Sequence, residues 1–135
     1  MVRAGGSRQD PVRVTAAVIE EKGKVLLARR GPGRHLAGKW EFPGGKIEPG
    51  ETPEQSLERE LEEELAIRTR VGELLCSTSF EHDGISLELL VYRVERTAGE
   101  PQLREHLELA WVPPQEVASY DLADSDRTVA RALYG

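Results

Sequence analysis

Runs rich in β-branched and other apolar residues recur along the 135-residue chain, with short polar or glycine-containing turns between them. Glu21-Lys22-Gly23 and Asp83-Gly84 each separate two such runs, which is typical of a β-hairpin. The predicted strands cover residues 12–20, 24–30, 71–82, 85–95 and 107–112, with one more short strand after Trp40. Residues 113–116 and 125–133 are predicted to be helical, the longer segment being capped by Asp124 or Ser125.

A further helix is predicted to begin at about Pro53, because Thr52 can cap it and Gln55 stands at the capping-box position. At about 100° per residue, this helix carries two neighbouring stripes. The apolar stripe consists of Leu57, Leu61 and Leu65, and the acidic stripe consists of Glu60, Glu63 and Glu64. We expect the leucines to face the core and the glutamates to line a cleft, while Glu58 and Glu62 point into solvent.

Carboxylates three and four residues apart repel one another by a few tenths of a kcal/mol per pair, so the acidic stripe favours a bound cation. Magnesium suits carboxylate oxygens and keeps several waters, taking one or two carboxylates together with the phosphates of a substrate. The segment Pro43-Gly44-Gly45 before the helix is predicted to be a loop whose bare backbone can approach metal and phosphate. Lys46 is a candidate phosphate partner.

Residues 45–67 resemble the Nudix box, the signature of hydrolases that cut nucleoside diphosphates linked to another group. The matching positions are Gly45, Glu51, Arg59, Glu60, Leu61, Glu63, Glu64 and Ile67. Ala66 departs from the pattern, which has glycine there, and we expect a local cost of roughly 1 kcal/mol at the helix end without loss of activity. The resemblance implies an α/β fold, an α/β/α sandwich with a mixed sheet. It covers a single domain at 12–135 after a flexible tail at 1–11.

The resemblance also implies roles for individual residues. It makes the Gly44 carbonyl, Glu60, Glu63 and Glu64 ligands of Mg²⁺, for which Mn²⁺ can substitute, and it places Gly45 and Lys46 at the phosphates. Glu105 lies where similar proteins contribute an extra carboxylate, and either Glu60 or Glu105 is the general base. Arg59 is expected to pair with Glu51 and to hold the segment in shape.

The resemblance is closest to the MutT-type branch, because residues 36–46 run parallel to that branch in sequence and spacing. It implies hydrolysis of nucleoside triphosphates, such as 8-oxo-dGTP or CTP-type nucleotides, to monophosphate and pyrophosphate. The base preference, the phosphorus attacked and the number of metals stay open. Arg30, Phe42 and Asp126 are the candidates for nucleotide recognition. Val12 and Val14 can form an apolar pocket wall, although we favour an ordinary place in the core for both. The alternatives are a hydrolase of nucleotide sugars or dinucleoside polyphosphates and a non-catalytic nucleotide-binding module.

A formal net charge of −6 argues against a nucleic-acid polymer as partner, because such a partner needs a basic groove. The sequence has no apolar stretch of membrane-spanning length, and its start lacks the apolar core of a secretion signal. We therefore expect a cytoplasmic protein that acts on nucleotide and water without contacting a membrane, as a monomer or a homodimer.

Overall fold

The computed structural model describes residues 11–135. Its strands and helices follow one another along the chain as β1 (Val12–Glu21), β2 (Lys24–Arg29), β3 (Trp40–Glu41), β4 (Gly44–Lys46), α1 (Pro53–Leu65), β5 (Arg68–His82), β6 (Ile85–Ala98), β7 (Glu108–Val112), a 3-10 helix (Pro114–Ser119) and α2 (Asp124–Tyr134). The predicted tail at 1–11 lies outside this part of the chain except for Pro11, which is exposed. Within residues 11–135, no helix combines the length and apolar character of a membrane-spanning segment.

Both predicted hairpins are confirmed, and their turns share one backbone geometry. Lys22 and Gly23 have positive φ angles of 52° and 76°, and Asp83 and Gly84 have 51° and 77°. Two successive residues with positive φ form the turn whose twist matches that of paired strands. β5 and β6 extend beyond their predicted ends, to Arg68 and Ala98, so the second hairpin is longer than the sequence indicated.

The sheet is mixed, as predicted. Its strands lie in the order β3-β2-β1-β6-β5, with β4 paired to β1 and β7 paired to β2. β1 runs parallel to β6, and the other pairings are antiparallel. The parallel pair places β1 at the centre, so β4 and helix α1 are attached directly to the middle of the sheet.

Two hydrophobic cores lie on opposite faces of this sheet, which confirms the α/β/α sandwich. Successive strand residues alternate between them: Ala16 and Val18 belong to one core, whereas Ala17 and Ile19 belong to the other. The leucine stripe of α1 fills the second core, and residues of α2 fill the first. Each helix covers one face of the sheet, and neither helix covers the edge of the sheet between them.

Helix α1 begins as predicted. The Thr52 hydroxyl accepts from the Gln55 amide at 3.0 Å, and the Gln55 side chain accepts from the Thr52 amide at 3.0 Å. The helix ends in a left-handed residue, Ala66, whose φ is 61°. A non-glycine residue in that conformation carries the steric cost expected from the sequence.

Two local predictions are wrong. Gly44–Lys46 is a short strand and not an open loop, because its backbone pairs with β1. Helix α2 has Ala123 at its N-cap and no side-chain cap, since Asp124 already lies inside the helix and the Ser125 hydroxyl lies 3.5 Å from Asp126 Oδ2. Neither correction changes the layers of the fold.

Candidate active site

The buried leucines of α1 fix how the helix is rotated, and this rotation sorts its glutamates by environment. Leu57, Leu61 and Leu65 are fully buried. Glu64 lies beside them with only 5% of its surface exposed, whereas the Glu63 side chain is 56% exposed. Glu60 lies between these extremes and faces β4. The three glutamates of the acidic stripe therefore differ in burial, and Glu60 is the one that contacts β4.

Gly45 provides the space that Glu60 occupies. A Cβ atom added at Gly45 would lie 1.4 Å from Glu60 Oε2 and 2.3 Å from its carboxyl carbon. Any side chain at this position would displace the carboxylate, so a glycine is required here for a steric reason. At Gly44 an added Cβ would instead meet the Thr15 carbonyl oxygen at 2.1 Å, so this glycine permits β4 to pack against β1.

Strand pairing decides where the backbone groups of the two glycines point. In an antiparallel strand pair, every second residue pair is hydrogen-bonded. Ala17 N–H donates to the Pro43 carbonyl and Ile47 N–H donates to the Arg13 carbonyl, so the pair midway between them, Thr15 with Gly45, is hydrogen-bonded too. Gly44 lies opposite Ala16 in a pair that is not hydrogen-bonded, so its N–H and C=O point away from β1. The carbonyl of Gly44 is thus not used in pairing with β1, and its role as a metal ligand stays a prediction. The amide of Gly45 is directed at β1 instead, which corrects its expected part as a phosphate donor.

Arg59 holds the segment between β4 and α1 against the acidic stripe. Its guanidinium donates to both Glu51 oxygens, at 2.6 Å and 3.0 Å, which agrees with the predicted pairing. It also lies 3.0 Å from Glu60 and 3.1 Å from Glu63, and it donates to the Lys46 carbonyl at 3.2 Å. The hydrogen bond to Glu51 raises the pKa of the Arg59 guanidinium above its ordinary value. Arg59 therefore remains charged and orients two carboxylates of the stripe.

The carboxylates of the cleft raise one another's pKa values. Burial raises the pKa of Glu64 to about 9, and the charges of Glu60, Glu41 and Glu105 add to the effect. Burial also raises the pKa of Glu60 against the opposing influence of Arg59, and Glu63 and Glu105 raise it further. Glu105, on the segment between β6 and β7, therefore adds negative charge to the surroundings of both groups, and its role as an extra carboxylate of the site stays a prediction. Such crowding of negative charge costs free energy unless a cation or protons offset it.

These residues fit a divalent cation, although they do not form a finished cage. Glu64 Oε1 is buried and has no hydrogen-bond partner within residues 11–135. Hard oxygen donors of this kind suit magnesium, which requires only one or two carboxylates and retains several waters. Over the same part of the chain, no three Asp, Glu, His or Cys side chains converge on a common point. Glu60 and Glu63 are instead drawn toward Arg59.

A second cluster of polar groups lies at the other end of the cleft. Arg30 Nε is 2.7 Å from Glu41 Oε1, and Arg30 Nη2 is 3.8 Å from Asp126 Oδ2. Asp126 Oδ1 accepts from the Phe42 amide at 2.9 Å. Burial raises the pKa of Asp126 to about 7, and the charge of Glu41 adds to the increase. Arg30 and Asp126, both predicted as nucleotide contacts, are therefore brought together by α2, β2 and β3.

Glu41 and His106 were not predicted as site residues, yet they connect the two ends of the cleft. Glu41 Oε2 lies 2.9 Å from His106 Nε2 and 3.5 Å from Arg34 Nη1. Burial opposes ionisation of Glu41, but the hydrogen bond from His106 and the charges of Arg30 and Arg34 hold its pKa below the ordinary value. The available signal in the sequence was a lone acid beside Phe42 on a short strand and a histidine beside Glu105.

Two adjoining cavities open beside Arg30, and the smaller one reaches Gly44 and Gly45 of β4. The inner cavity, of about 100 Å³, is bordered by Gly44, Glu41 and Asp126. The outer cavity, of about 340 Å³, is bordered by Leu36, Phe80 and Leu87 among others. Val14, Arg30, Phe80 and Ser125 line both. Val14 thus packs against the core and also forms part of the apolar wall of both cavities, which is the alternative that the sequence favours less.

The remaining predicted contacts differ in how they are placed. Phe42 borders the inner cavity but lies within the core, with 2% of its surface exposed. Lys46 is exposed at the end of β4, where nothing in the described chain restricts its side chain to the cleft. Val12 is half-buried at the start of β1.

A family model described as the NUDIX domain matches residues 9–133, so the chain belongs to the Nudix family and is a Nudix hydrolase. It is 44% identical over 122 residues to the CTP pyrophosphohydrolase of Escherichia coli K12, covering 90% of each chain. It is 38% identical over 133 residues to the putative 8-oxo-dGTP diphosphatase 2 of Mycobacterium tuberculosis H37Rv, again covering 90% of each.

Solved structures give the same assignment of fold. The solution structure of the E. coli ORF135 protein has a TM-score of 0.85 at 42% identity and covers 94% of this chain and 90% of its own. The crystal structure of the MutT protein from Methanosarcina mazei Go1 has a TM-score of 0.82 at 29% identity, with 92% and 93% covered.

Proposed function

We propose that this protein is a magnesium-dependent pyrophosphohydrolase that converts nucleoside triphosphates to the monophosphate and pyrophosphate. The observation that carries the proposal is the buried Glu64 oxygen, which has no hydrogen-bond partner within residues 11–135 and whose carboxyl group has its pKa raised by burial and by the charges of Glu60, Glu41 and Glu105. A polyphosphate chelated to a cation is a substrate that such a group of acids can accept in spite of its own negative charge. Relatives named CTP pyrophosphohydrolase and 8-oxo-dGTP diphosphatase support this substrate class.

Each part of the site has its own task in this proposal. Glu60, Glu63, Glu64 and the Gly44 carbonyl hold the cation, and Glu105 is an additional ligand or the base. When bound, the cation lowers the pKa of a bound water and neutralises charge on the phosphates. Arg59 orients Glu60 and Glu63 by direct contact, and Lys46 contributes positive charge for a phosphate. Glu60 or Glu105 accepts the proton of the attacking water, which leaves hydroxide to attack phosphorus.

The opposite end of the cleft recognises the nucleoside. The base occupies the cavity bordered by Val14 and Phe80, whose apolar surfaces pack against its faces. Asp126 and Arg30 contact its polar edge. Because the pKa of Asp126 lies near 7, its carboxyl group can either accept or donate a hydrogen bond at neutral pH. This property suits bases with altered donor and acceptor patterns, such as oxidised purines and modified pyrimidines.

A substrate panel tests the proposal. The purified protein is incubated with magnesium and ordinary, oxidised and methylated nucleoside triphosphates in ¹⁸O-labelled water, alongside nucleotide sugars and dinucleoside polyphosphates. We expect the triphosphates alone to yield monophosphate and pyrophosphate, with no reaction in EDTA, and the labelled product identifies the phosphorus attacked. Turnover restricted to sugar-linked or dinucleoside substrates, or release of orthophosphate, would contradict it. Binding without turnover would indicate a non-catalytic module.

A further inference from the structure

His106 is a fully buried histidine directly after Glu105. Its side chain has 0% exposure, and its Nε2 lies 2.9 Å from Glu41 Oε2. Because a carboxylate only accepts hydrogen bonds, Nε2 carries the proton in this contact. The other ring nitrogen, Nδ1, is buried without a hydrogen-bond partner within residues 11–135. The bond to Glu41 is therefore the polar contact that fixes the orientation of the imidazole.

The backbone of Glu105 and Leu107, on either side of His106, packs against the end of β2 and the residues that follow it. Leu107 N–H donates to the Arg29 carbonyl at 2.9 Å. A Cβ atom added at Gly31 would lie 2.3 Å from the Glu105 carbonyl oxygen, so the chain at Glu105 passes directly over this glycine. His106 lies between these two contacts and attaches the same segment to β3.

Glu105 depends on this attachment for its place in the cleft. Its backbone carbonyl lies over Gly31, and its neighbour His106 is hydrogen-bonded to Glu41. Among residues 11–135, however, no hydrogen bond or ion pair holds the Glu105 side chain. Its position is consequently set by the backbone on which it stands, and that backbone is held by its neighbour.

The bond between His106 and Glu41 is well suited to hold this segment. The Glu41 side chain is 7% exposed, with Arg30 Nε at 2.7 Å from its Oε1. The only other donor near Oε2 in the described chain is Arg34 Nη1, at 3.5 Å. Removing one donor from a buried carboxylate is costly, because the oxygen then loses both water and its partner. Glu41 therefore resists separation from His106.

We propose that His106 is a positioning residue, which through its hydrogen bond to Glu41 holds the segment carrying Glu105 in the place from which this carboxylate acts. The same bond attaches Glu105 to Arg30 and Asp126, at the nucleoside end of the cleft. This inference rests on the proposed function in that Glu105 acts on the substrate or its cation. It assigns His106 no contact with either.

A double-mutant cycle tests the coupling. The four proteins are the wild type, His106→Leu, Glu105→Gln and the double variant, assayed for kcat and KM with saturating magnesium and the best substrate of the panel. We expect His106→Leu to lower kcat roughly 10- to 100-fold, as loss of a supporting hydrogen bond does, with a smaller change in KM. We expect the double variant to be no slower than Glu105→Gln alone, because His106 acts through Glu105.

His106→Gln is the matched control, since its amide nitrogen can reach Glu41 as Nε2 does. We expect this variant to recover most of the lost kcat. His106→Asn, whose shorter side chain does not reach Glu41, serves as a second loss variant should His106→Leu fail to fold. Independent effects of the two mutations, or a Glu105→Gln variant with normal kcat, would overturn the proposal.

Amide hydrogen exchange provides a readout that does not depend on activity. In the metal-free protein, we expect the Leu107 amide to exchange faster in His106→Leu and His106→Asn than in the wild type and His106→Gln. Unchanged protection in the loss variants would contradict the proposal. A wild type without hydrolase activity would instead contradict the proposed function, so the two failures are distinguishable.

Discussion

Residues of one chemical type have different environments on helix α1. Glu62 is exposed, Glu60 is partly buried against Gly45, and Glu64 is almost completely buried. Burial makes ionisation costly, and only a site that supplies positive charge compensates for it. Burial thus supports a role with the cation for Glu60 and Glu64, whereas the role of the exposed Glu63 rests on its place in the box.

Replacing Glu60 or Glu63 by glutamine removes a charge with almost no change in volume. We expect each of these substitutions to lower kcat by roughly 100-fold or more, with little effect on the unfolding temperature, because the core stripe is unaffected. Glu62→Gln, on the same helix but exposed, is the control and should retain normal kcat. Near-normal turnover in both Glu60→Gln and Glu63→Gln would show that the stripe does not carry the reaction.

The two glycines of β4 should respond differently to alanine. In Gly45→Ala the new methyl group meets the end of a flexible side chain, so we expect Glu60 to be displaced and kcat to fall roughly 100-fold while the protein stays folded. In Gly44→Ala the methyl group meets the backbone of Thr15, so we expect a lower unfolding temperature as well. Steady-state kinetics and thermal unfolding of both variants check this. Normal kcat in Gly45→Ala would contradict the contact with Glu60.

The residues of the box could be predicted from sequence because their spacing along one helix places them together. Glu41 and His106 could not be predicted in this way. They are 65 positions apart in the chain and meet only because β2 pairs with both β3 and the strand after His106. A contact made by tertiary packing leaves no periodic signal in the sequence.

At the scale of elements, helix α1 is stabilised by a capping box at its N-terminus and strained at its C-terminus. Its capping box satisfies backbone donors at the start, whereas Ala66 adopts the left-handed conformation at the end. In that conformation Cβ approaches the backbone, which costs roughly 1–2 kcal/mol for residues other than glycine. The stabilisation of α1 therefore comes from its cap and its buried leucines.

Ala66→Gly should relieve this strain. We expect the free energy of unfolding to increase by about 1 kcal/mol, less the extra entropy that glycine gives the unfolded chain, with kcat unchanged. Chemical denaturation of the variant and the wild type measures the difference. A destabilised variant would show that the left-handed conformation at residue 66 is not maintained in solution.

The long strands and helix α1 were predictable because their apolar patterns and turns are strong. β4 was not, because a glycine pair has no β-propensity, and its pairing with β1 depends on the close approach that glycine permits. The predicted cap of α2 is wrong for a related reason. Asp126 is engaged with the Phe42 amide, so the first turn is fixed by a tertiary contact and not by a local cap.

For the whole molecule, Asp126 links α2 to the chain beside the cleft and makes stability depend on pH. Folding raises its pKa from the ordinary value of 3.8 to about 7. Between these values the folded protein binds more protons at this group than the unfolded chain does. The contribution of Asp126 to the free energy of unfolding consequently falls as pH rises through this window.

Asp126→Asn should remove that contribution, because the amide oxygen can still accept from Phe42 and carries no charge. We expect the free energy of unfolding of the variant, relative to the wild type, to rise by up to about 4 kcal/mol from pH 4 to pH 8. Asp124→Asn, an exposed acid in the same helical turn, should show no such rise. Denaturation curves across this range test it, and a pH-independent difference for Asp126→Asn would contradict the raised pKa.

The central claim is that β4 and α1 together hold a divalent cation against the polyphosphate of a nucleotide. The most direct measurement is anomalous diffraction from crystals grown with Mn²⁺ and a non-hydrolysable nucleoside triphosphate analogue. We predict a manganese peak bounded by Glu60, Glu64 and the Gly44 carbonyl, with the phosphates completing its ligands. Manganese and analogue bound at another place, with these three groups unliganded, would contradict the account.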